Sequence, residues 1–79
     1  MKTTYRVVVE YQGLPDMEFE IKLRKAAKKE SEGSGFGFGV RDISFSTNTE
    51  ARAGLLASRL RAVRGIRKKV TIYRENDNE

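Results

Sequence analysis

The chain has no cysteine and no histidine among its 79 residues. Without cysteine it has neither a disulfide framework nor thiolate ligands for zinc or an iron–sulfur cluster. Without histidine it lacks the commonest general base and the commonest metal ligand. We therefore expect a protein that is not an enzyme and that carries no cofactor and no metal.

Long hydrophobic runs are also missing. No apolar stretch approaches the roughly 20 residues needed to cross a bilayer, and the first residues lack the apolar segment of a signal peptide. We expect a soluble, cytoplasmic protein with no membrane partner. A chain of 79 residues should form a single small domain, here over residues 1–75, followed by a frayed polar tail over residues 76–79.

The net charge of +5 is unevenly distributed. Acidic and basic side chains cancel over residues 1–50, whereas residues 51–74 carry eight basic side chains and no acidic one. Such a field attracts an anionic partner, either nucleic acid or an acidic protein surface. A solvated basic face that keeps a small protein in solution explains the same pattern equally well.

Alternating apolar residues predict a β-hairpin over residues 5–23. The apolar positions have the period of two that is typical of half-buried strands, and a turn at residues 12–16 separates the two runs. One register, with Tyr11 opposite Met17, puts the apolar side chains on one face and the charged ones on the other. Three carboxylates would then share a face and could bind Mg²⁺, although solvated carboxylates near a turn are far commoner. They are Glu10, Glu18 and Glu20.

The segment that follows is expected to be mobile over residues 28–35, because serine and glycine interrupt a stretch rich in lysine and alanine. A third strand begins at Phe36. Its apolar residues change parity between Val40 and Ile43, which predicts a β-bulge near residues 41–42. With the bulge, Phe36 and Phe38 face the core. Without it they point away from the core, which is the geometry that a stacking surface needs.

The C-terminal part of the chain has the pattern of a helix followed by a strand. Thr47 and Glu50 form a capping box, and Gly65 fits the left-handed position after the last turn. The apolar stripe of this helix consists of Ala53, Leu56, Leu60 and Val63. A final strand follows over residues 69–73. The predicted fold class is therefore α+β, a four-stranded and mainly antiparallel sheet in the order β-β-β-α-β, with one helix packed on one face.

The run from Gly33 to Val40, Gly-Ser-Gly-Phe-Gly-Phe-Gly-Val, is the segment most typical of a binding site. Glycines let a ligand approach the backbone closely, and exposed rings can stack on nucleotide bases. From Gly35 onward the chain resembles the second half of the RNA recognition motif, whose third strand carries a basic residue, then glycine, aromatic, glycine and aromatic. The resemblance covers about half the chain and implies that Phe36 and Phe38 stack on bases. It departs from the family where Ser34 replaces the basic residue and where the predicted hairpin replaces a strand, a helix and a strand.

These observations favour a small binding module that contacts nucleic acid through basic clusters and the glycine- and phenylalanine-rich strand. The alternative is a protein–protein interaction module, or an inhibitor of a larger host protein or nucleoprotein complex, of the kind that phages and mobile elements encode. A homodimer that buries the open sheet face is a further possibility. The predicted nucleic-acid-binding residues are Lys22, Arg24, Lys25, Lys28, Lys29, Phe36, Phe38, Arg61, Arg64, Arg67, Lys68 and Lys69.

Overall fold

The computed structural model describes residues 2–77. Its elements are β1 (Lys2–Gln12), α1 (Met17–Ala27), β2 (Gly33–Gly37), β3 (Val40–Thr47), α2 (Glu50–Arg61) and β4 (Lys69–Asp77). The strands form one sheet in the order β2-β3-β1-β4, and each neighbouring pair is antiparallel. This is the split β-α-β arrangement of ferredoxin-like domains. The predicted α+β class and four-stranded antiparallel sheet are confirmed, with one helix more than expected.

The core lies between the two helices and one face of the sheet. Strands contribute alternate residues to it, and each helix contributes one stripe. The buried apolar side chains are Val7, Val9, Tyr11, Phe19, Leu23, Ala27, Ile43, Phe45, Ala53, Leu56, Ala57 and Leu60. The residues between them on β1, β3 and β4 form the opposite face, which we call the open face. The structure therefore has one covered and one open sheet face, as expected.

The predicted hairpin over residues 5–23 is wrong in its second half, because residues 17–27 form α1. Asp16 caps this helix by accepting a hydrogen bond from the Phe19 N–H at 3.1 Å. The buried apolar residues recur every four positions, at Phe19, Leu23 and Ala27, which is helical spacing. Met17 and Ile21, which completed the strand pattern, are exposed.

The chain from residue 28 onward is also more ordered than expected. Lys28 ends α1 in the left-handed conformation, with a φ of 60°, and its N–H donates to the carbonyl of Arg24 at 2.8 Å. Strand β2 begins only five residues later, at Gly33. The predicted mobile loop over residues 28–35 is therefore replaced by a helix cap, a short connection and the start of a strand.

The change of parity before Ile43 has a different origin from the predicted bulge. Two strands, β2 and β3, are joined here by a two-residue turn, since Gly37 pairs with Val40. Phe38 and Gly39 both have positive φ, 53° and 75°, as a type I′ turn requires. A turn that reverses the chain also resets the alternation, so no bulge is needed.

Helix α2 is confirmed, but its ends differ from the expected ones. Thr49, not Thr47, is the N-cap and accepts a hydrogen bond from the Arg52 N–H at 3.2 Å. The helix ends at Arg61, so Gly65, with a φ of 132°, belongs to the following loop. Strand β4 continues past the expected domain end to Asp77. Residues 78 and 79 of the predicted tail lie outside the described residues.

Candidate nucleic-acid interface

The turn between β2 and β3 presents Phe38 as the most exposed large apolar side chain of the described residues. Its backbone is left-handed, a conformation that is sterically unfavourable for a bulky residue. The turn itself is anchored, because the Gly13 N–H donates a hydrogen bond to the Gly39 carbonyl at 2.8 Å. The solvated ring of Phe38 therefore projects from an anchored turn and from a strained backbone conformation. Strained backbone conformations of this kind cluster at functional sites.

Phe36 has a different environment from Phe38. It lies on the edge strand β2, opposite Arg41, and therefore on the sheet face that carries Ile43 and the helices. Its side chain remains half exposed. Neither sequence alternative, both rings toward the core or both away from it, describes this arrangement. Phe36 flanks the helical layer, and Phe38 projects from the end of the sheet.

A shallow cleft opens at the same end of the sheet as Phe38. It lies where β1 ends, β3 begins and the chain enters β4, and its lining includes Val40, two residues from Phe38. The other lining residues are Glu10, Tyr11, Gln12, Ile66, Arg67, Lys68 and Lys69. Val40, which follows the turn directly, and the predicted basic segment before β4 thus line the same cleft, although they are about thirty residues apart in the chain.

The predicted binding residues near the C-terminus form a C-terminal basic cluster, and two of its side chains hold the loop before β4 together. Its members are Arg61, Arg64, Arg67, Lys68 and Lys69. Lys68 donates from Nζ to the carbonyls of Val63 and Arg61 and lies 5.8 Å from the centroid of the Phe19 ring. Partial burial lowers the pKa of Lys68 from its usual range. Arg61 donates from Nη2 to the Val70 carbonyl at 3.5 Å. The members directed to solvent are the exposed side chains Arg64, Arg67 and Lys69.

A first group of the predicted binding residues lies on α1 and its cap, and its end is far from the C-terminal basic cluster. The members of this group are Lys22, Arg24, Lys25, Lys28 and Lys29. Arg24 is 3.9 Å from the carboxylate of Glu20 on the same helix. Lys29 donates from Nζ to the Ser46 carbonyl, near the end of β3, whereas Lys69 pairs with Glu10 at the opposite end of the sheet. Lys22, Lys25 and Lys28 are exposed along α1. The two clusters therefore do not form one groove.

A second shallow groove lies between the end of α1 and the outer surface of α2. Its basic members are Lys29, Arg52 and Arg59, and its apolar floor includes the half-exposed Leu55. Arg52 and Arg59 were not among the predicted binding residues, because their positions at the edge of the apolar stripe suggested packing. Arg52 and Arg59 line this groove together with Lys29, which the sequence could not predict because it did not predict α1 as a helix.

A buried ionic network that no local sequence pattern predicts lies beside the cleft. Arg41 donates two hydrogen bonds of 2.9 Å to the carboxylate of Glu20, which also accepts one of 2.6 Å from the Tyr11 hydroxyl. The hydrogen bonds from Arg41 lower the pKa of Glu20 despite its burial. Burial and the Glu20 carboxylate raise the pKa of Tyr11. These partners make Glu20 a structural residue. Glu10, Glu18 and Glu20 therefore do not form the predicted Mg²⁺-binding face, since Glu18 and Glu20 lie on α1 and not on a strand beside β1.

The open face lacks the aromatic pattern of a base-stacking sheet. At its centre, β1 and β3 place Val8, Glu10, Ser44 and Asp42, and the only aromatic side chain among the described residues of this face is Tyr73 on β4. The glycine-phenylalanine run lies on β2 and its turn, whereas the resemblance to the RNA recognition motif assigns it to the third strand. The first half of the chain does have the strand, helix and strand of that family. The resemblance itself stays a prediction.

Comparisons with known proteins add no functional information. No protein-family model matches the chain, and neither a curated protein nor a solved structure matches it. Within residues 2–77, neither helix has the length and apolar character needed to span a membrane.

Proposed function

We infer that the protein binds single-stranded nucleic acid at the end of the sheet where the β2–β3 turn meets the basic segment before β4. Phe38 stacks on a base, and the neighbouring cations Arg67 and Lys69 contact the phosphates on either side of it. The observation that carries this inference is the fully exposed Phe38 ring on a strained backbone, two residues from Val40, which lines a cleft rich in cations.

The chemistry of this surface suits a strand whose bases are unpaired. Stacking on an aromatic ring needs a free base face and contributes about 1–3 kcal/mol per base, with little dependence on sequence. Lysine and arginine supply the phosphate contacts. Glu10 also lines the cleft, so the phosphates are expected to lie along its Arg67 side.

Affinity measured over a range of salt concentrations tests this function. For two or three phosphate contacts, the logarithm of the binding constant for a short single-stranded RNA or DNA should fall with the logarithm of salt concentration with a slope of about −1.5 to −2. Duplex DNA of the same length should bind more weakly, because its bases are stacked. Binding that ignores salt, or no binding at low salt, contradicts the proposal.

A pair of matched variants locates the site. Arg67→Gln removes a cation from the cleft, whereas Arg59→Gln removes the same charge from the groove between the helices. We expect Arg67→Gln to weaken binding several-fold and to make the salt slope shallower by about 0.7, with Arg59→Gln close to the unmodified protein. The reverse result would place the site in the groove between the helices and overturn the assignment.

A protein partner is the second candidate function, and the edge strand β2 favours it. Three of its five residues are glycines, at positions 33, 35 and 37, so the backbone of this edge is accessible to an added strand. Phe36 is the apolar contact that such a strand would cover. Capture of a protein from host lysate that survives nuclease treatment and is lost in Phe36→Ala would favour this function over nucleic-acid binding.

A further inference from the structure

Strand β4 is the second edge of the sheet formed by residues 2–77, and it is long for an edge strand, with nine residues. An edge strand presents a row of N–H and carbonyl groups on its outer side, which another strand can pair with. Ile72 on the covered face and Tyr73 on the open face are 38% and 49% exposed. This edge therefore combines backbone hydrogen-bonding capacity with accessible apolar surface.

The sequence of β4 is complementary to itself when read in the antiparallel direction. If two copies pair about a twofold axis through Ile72, each Ile72 lies opposite the other copy's Ile72. In the same register Lys69 lies opposite Glu75 of the second copy, twice by symmetry, and Thr71 lies opposite Tyr73. Cross-strand pairs of opposite charge and of apolar side chains both stabilise sheets.

Charged side chains of β1 on the open face continue the pairing of opposite charges beyond the two β4 strands. Within one chain, Glu10 lies directly opposite Lys69, and Arg6 forms a 3.1 Å ion pair with Glu75. Pairing through β4 would therefore place Glu10, Lys69, the second copy's Glu75 and its Arg6 in a row of alternating sign. Moving the register by one residue would place Lys69 opposite Arg74, and it would also bring the covered face of one copy beside the open face of the other.

We propose that the protein forms a homodimer through β4, in which two four-stranded sheets join into one eight-stranded antiparallel sheet with Ile72 on the twofold axis. This interface lies on the edge away from β2. The interface needs no ligand, and it shares only Lys69 with the proposed nucleic-acid site. A closed twofold contact also consumes the exposed edge that would otherwise favour open-ended aggregation.

Single cysteines test the register, because the chain has none of its own. Directly opposed residues in antiparallel strands have Cα atoms about 4.5–5.5 Å apart, within the range that a disulfide spans. Under mild oxidation Ile72→Cys should give a covalent dimer at least about tenfold faster than Thr71→Cys or Tyr73→Cys, whose copies are displaced by two residues, about 7 Å, along the strand. Ser34→Cys on β2 is the control for pairing through the opposite edge of the sheet, and it should not give a covalent dimer.

A charge exchange tests the same interface without any cross-link. Sedimentation of the nucleic-acid-free protein should show a monomer–dimer equilibrium that weakens about tenfold in Lys69→Glu and in Glu75→Lys, because two attractive pairs become repulsive. The double variant should recover part of the dimer, because the pairs between copies are restored while Glu10 and Arg6 then lie beside like charges within each chain. A monomer at all concentrations, or a dimer that cross-links through Ser34→Cys and not through Ile72→Cys, overturns the proposal.

Discussion

The four phenylalanines of this chain divide into two pairs with opposite roles. Phe19 on α1 and Phe45 on β3 are 3% and 0% exposed and belong to the core, where Phe19 also packs edge-to-face against Tyr11 with ring centroids 5.2 Å apart. Phe36 and Phe38, on the β2–β3 hairpin, are 48% and 108% exposed. The same side chain stabilises the fold in one region and leaves apolar surface in water in the other.

The exposed pair includes a residue, Phe38, that stability alone would not favour at its position. A type I′ turn is best formed by Asn-Gly, and this chain has Phe-Gly. Phe38 thus occupies a position where it gains no burial and where its left-handed backbone costs about 1 kcal/mol. The proposed stacking of Phe38 on a base would offset this cost when the ligand is bound.

The largest effect is expected at the buried pair. Phe45→Ala should lower the free energy of unfolding by about 4 kcal/mol, because it removes a fully buried ring from the centre of the sheet. Urea denaturation followed by circular dichroism measures this loss. Phe38→Ala is the matched control and should not destabilise the protein. Equal losses in the two variants would remove the distinction between the pairs.

The next effect concerns the network that fixes the helix carrying Phe19. Glu20→Gln should cost about 2 kcal/mol, since it leaves Arg41 without its anionic partner while Arg41 keeps some contact with water. Glu18→Gln changes an exposed residue of the same helix and is the control. Its loss of unfolding free energy should be only a few tenths of the loss for Glu20→Gln. A comparable loss in both variants would mean that the helix dipole, and not the buried network, holds α1.

The same network predicts an acid dependence with a definite sign. Because Arg41 lowers the folded-state pKa of Glu20 below the ordinary value of 4.5, the ionised carboxylate stabilises the fold fully above pH 4.5. This contribution disappears as the pH falls through the lowered pKa. The stability difference between the unmodified protein and Glu20→Gln should therefore be constant above pH 5 and shrink on further acidification. A difference that grows toward low pH would contradict the assignment.

The smallest change in stability is expected at the exposed pair, and its sign is opposite. Phe38→Asn should raise the free energy of unfolding by about 1 kcal/mol, because asparagine tolerates the left-handed conformation and completes the Asn-Gly turn. Thermal or urea unfolding measures the gain. Phe36→Asn, outside the turn, serves as the control and should bring no such gain.

The sequence predicted the parts of the fold in which local pattern and tertiary packing agree. The stripe of Ala53, Leu56 and Leu60 and the alternation in β1 gave correct elements for this reason. Helix α1 was missed because Met17 and Ile21 add a period of two to a segment whose buried residues have helical spacing. The cap at Asp16 was the signal that could have separated the two interpretations.

The candidate site was only half predictable for a related reason. Phe36 and Phe38 could be identified from their glycine neighbours, but their directions depend on a turn that looked like a bulge. The position of Phe38 at the same end of the sheet as Arg67 follows from the order of strands, which no local pattern encodes. The network of Tyr11, Glu20 and Arg41 likewise joins three elements that are distant in the chain.

The proposed contact of Phe38 with a base is tested most directly by comparing the unmodified protein and Phe38→Asn. Their affinities for one short single-stranded RNA are measured at fixed salt, with both unfolding free energies measured in parallel. The variant should be more stable by about 1 kcal/mol and bind about tenfold more weakly, because a stacked base is lost. A more stable variant with unchanged affinity would contradict the proposed contact.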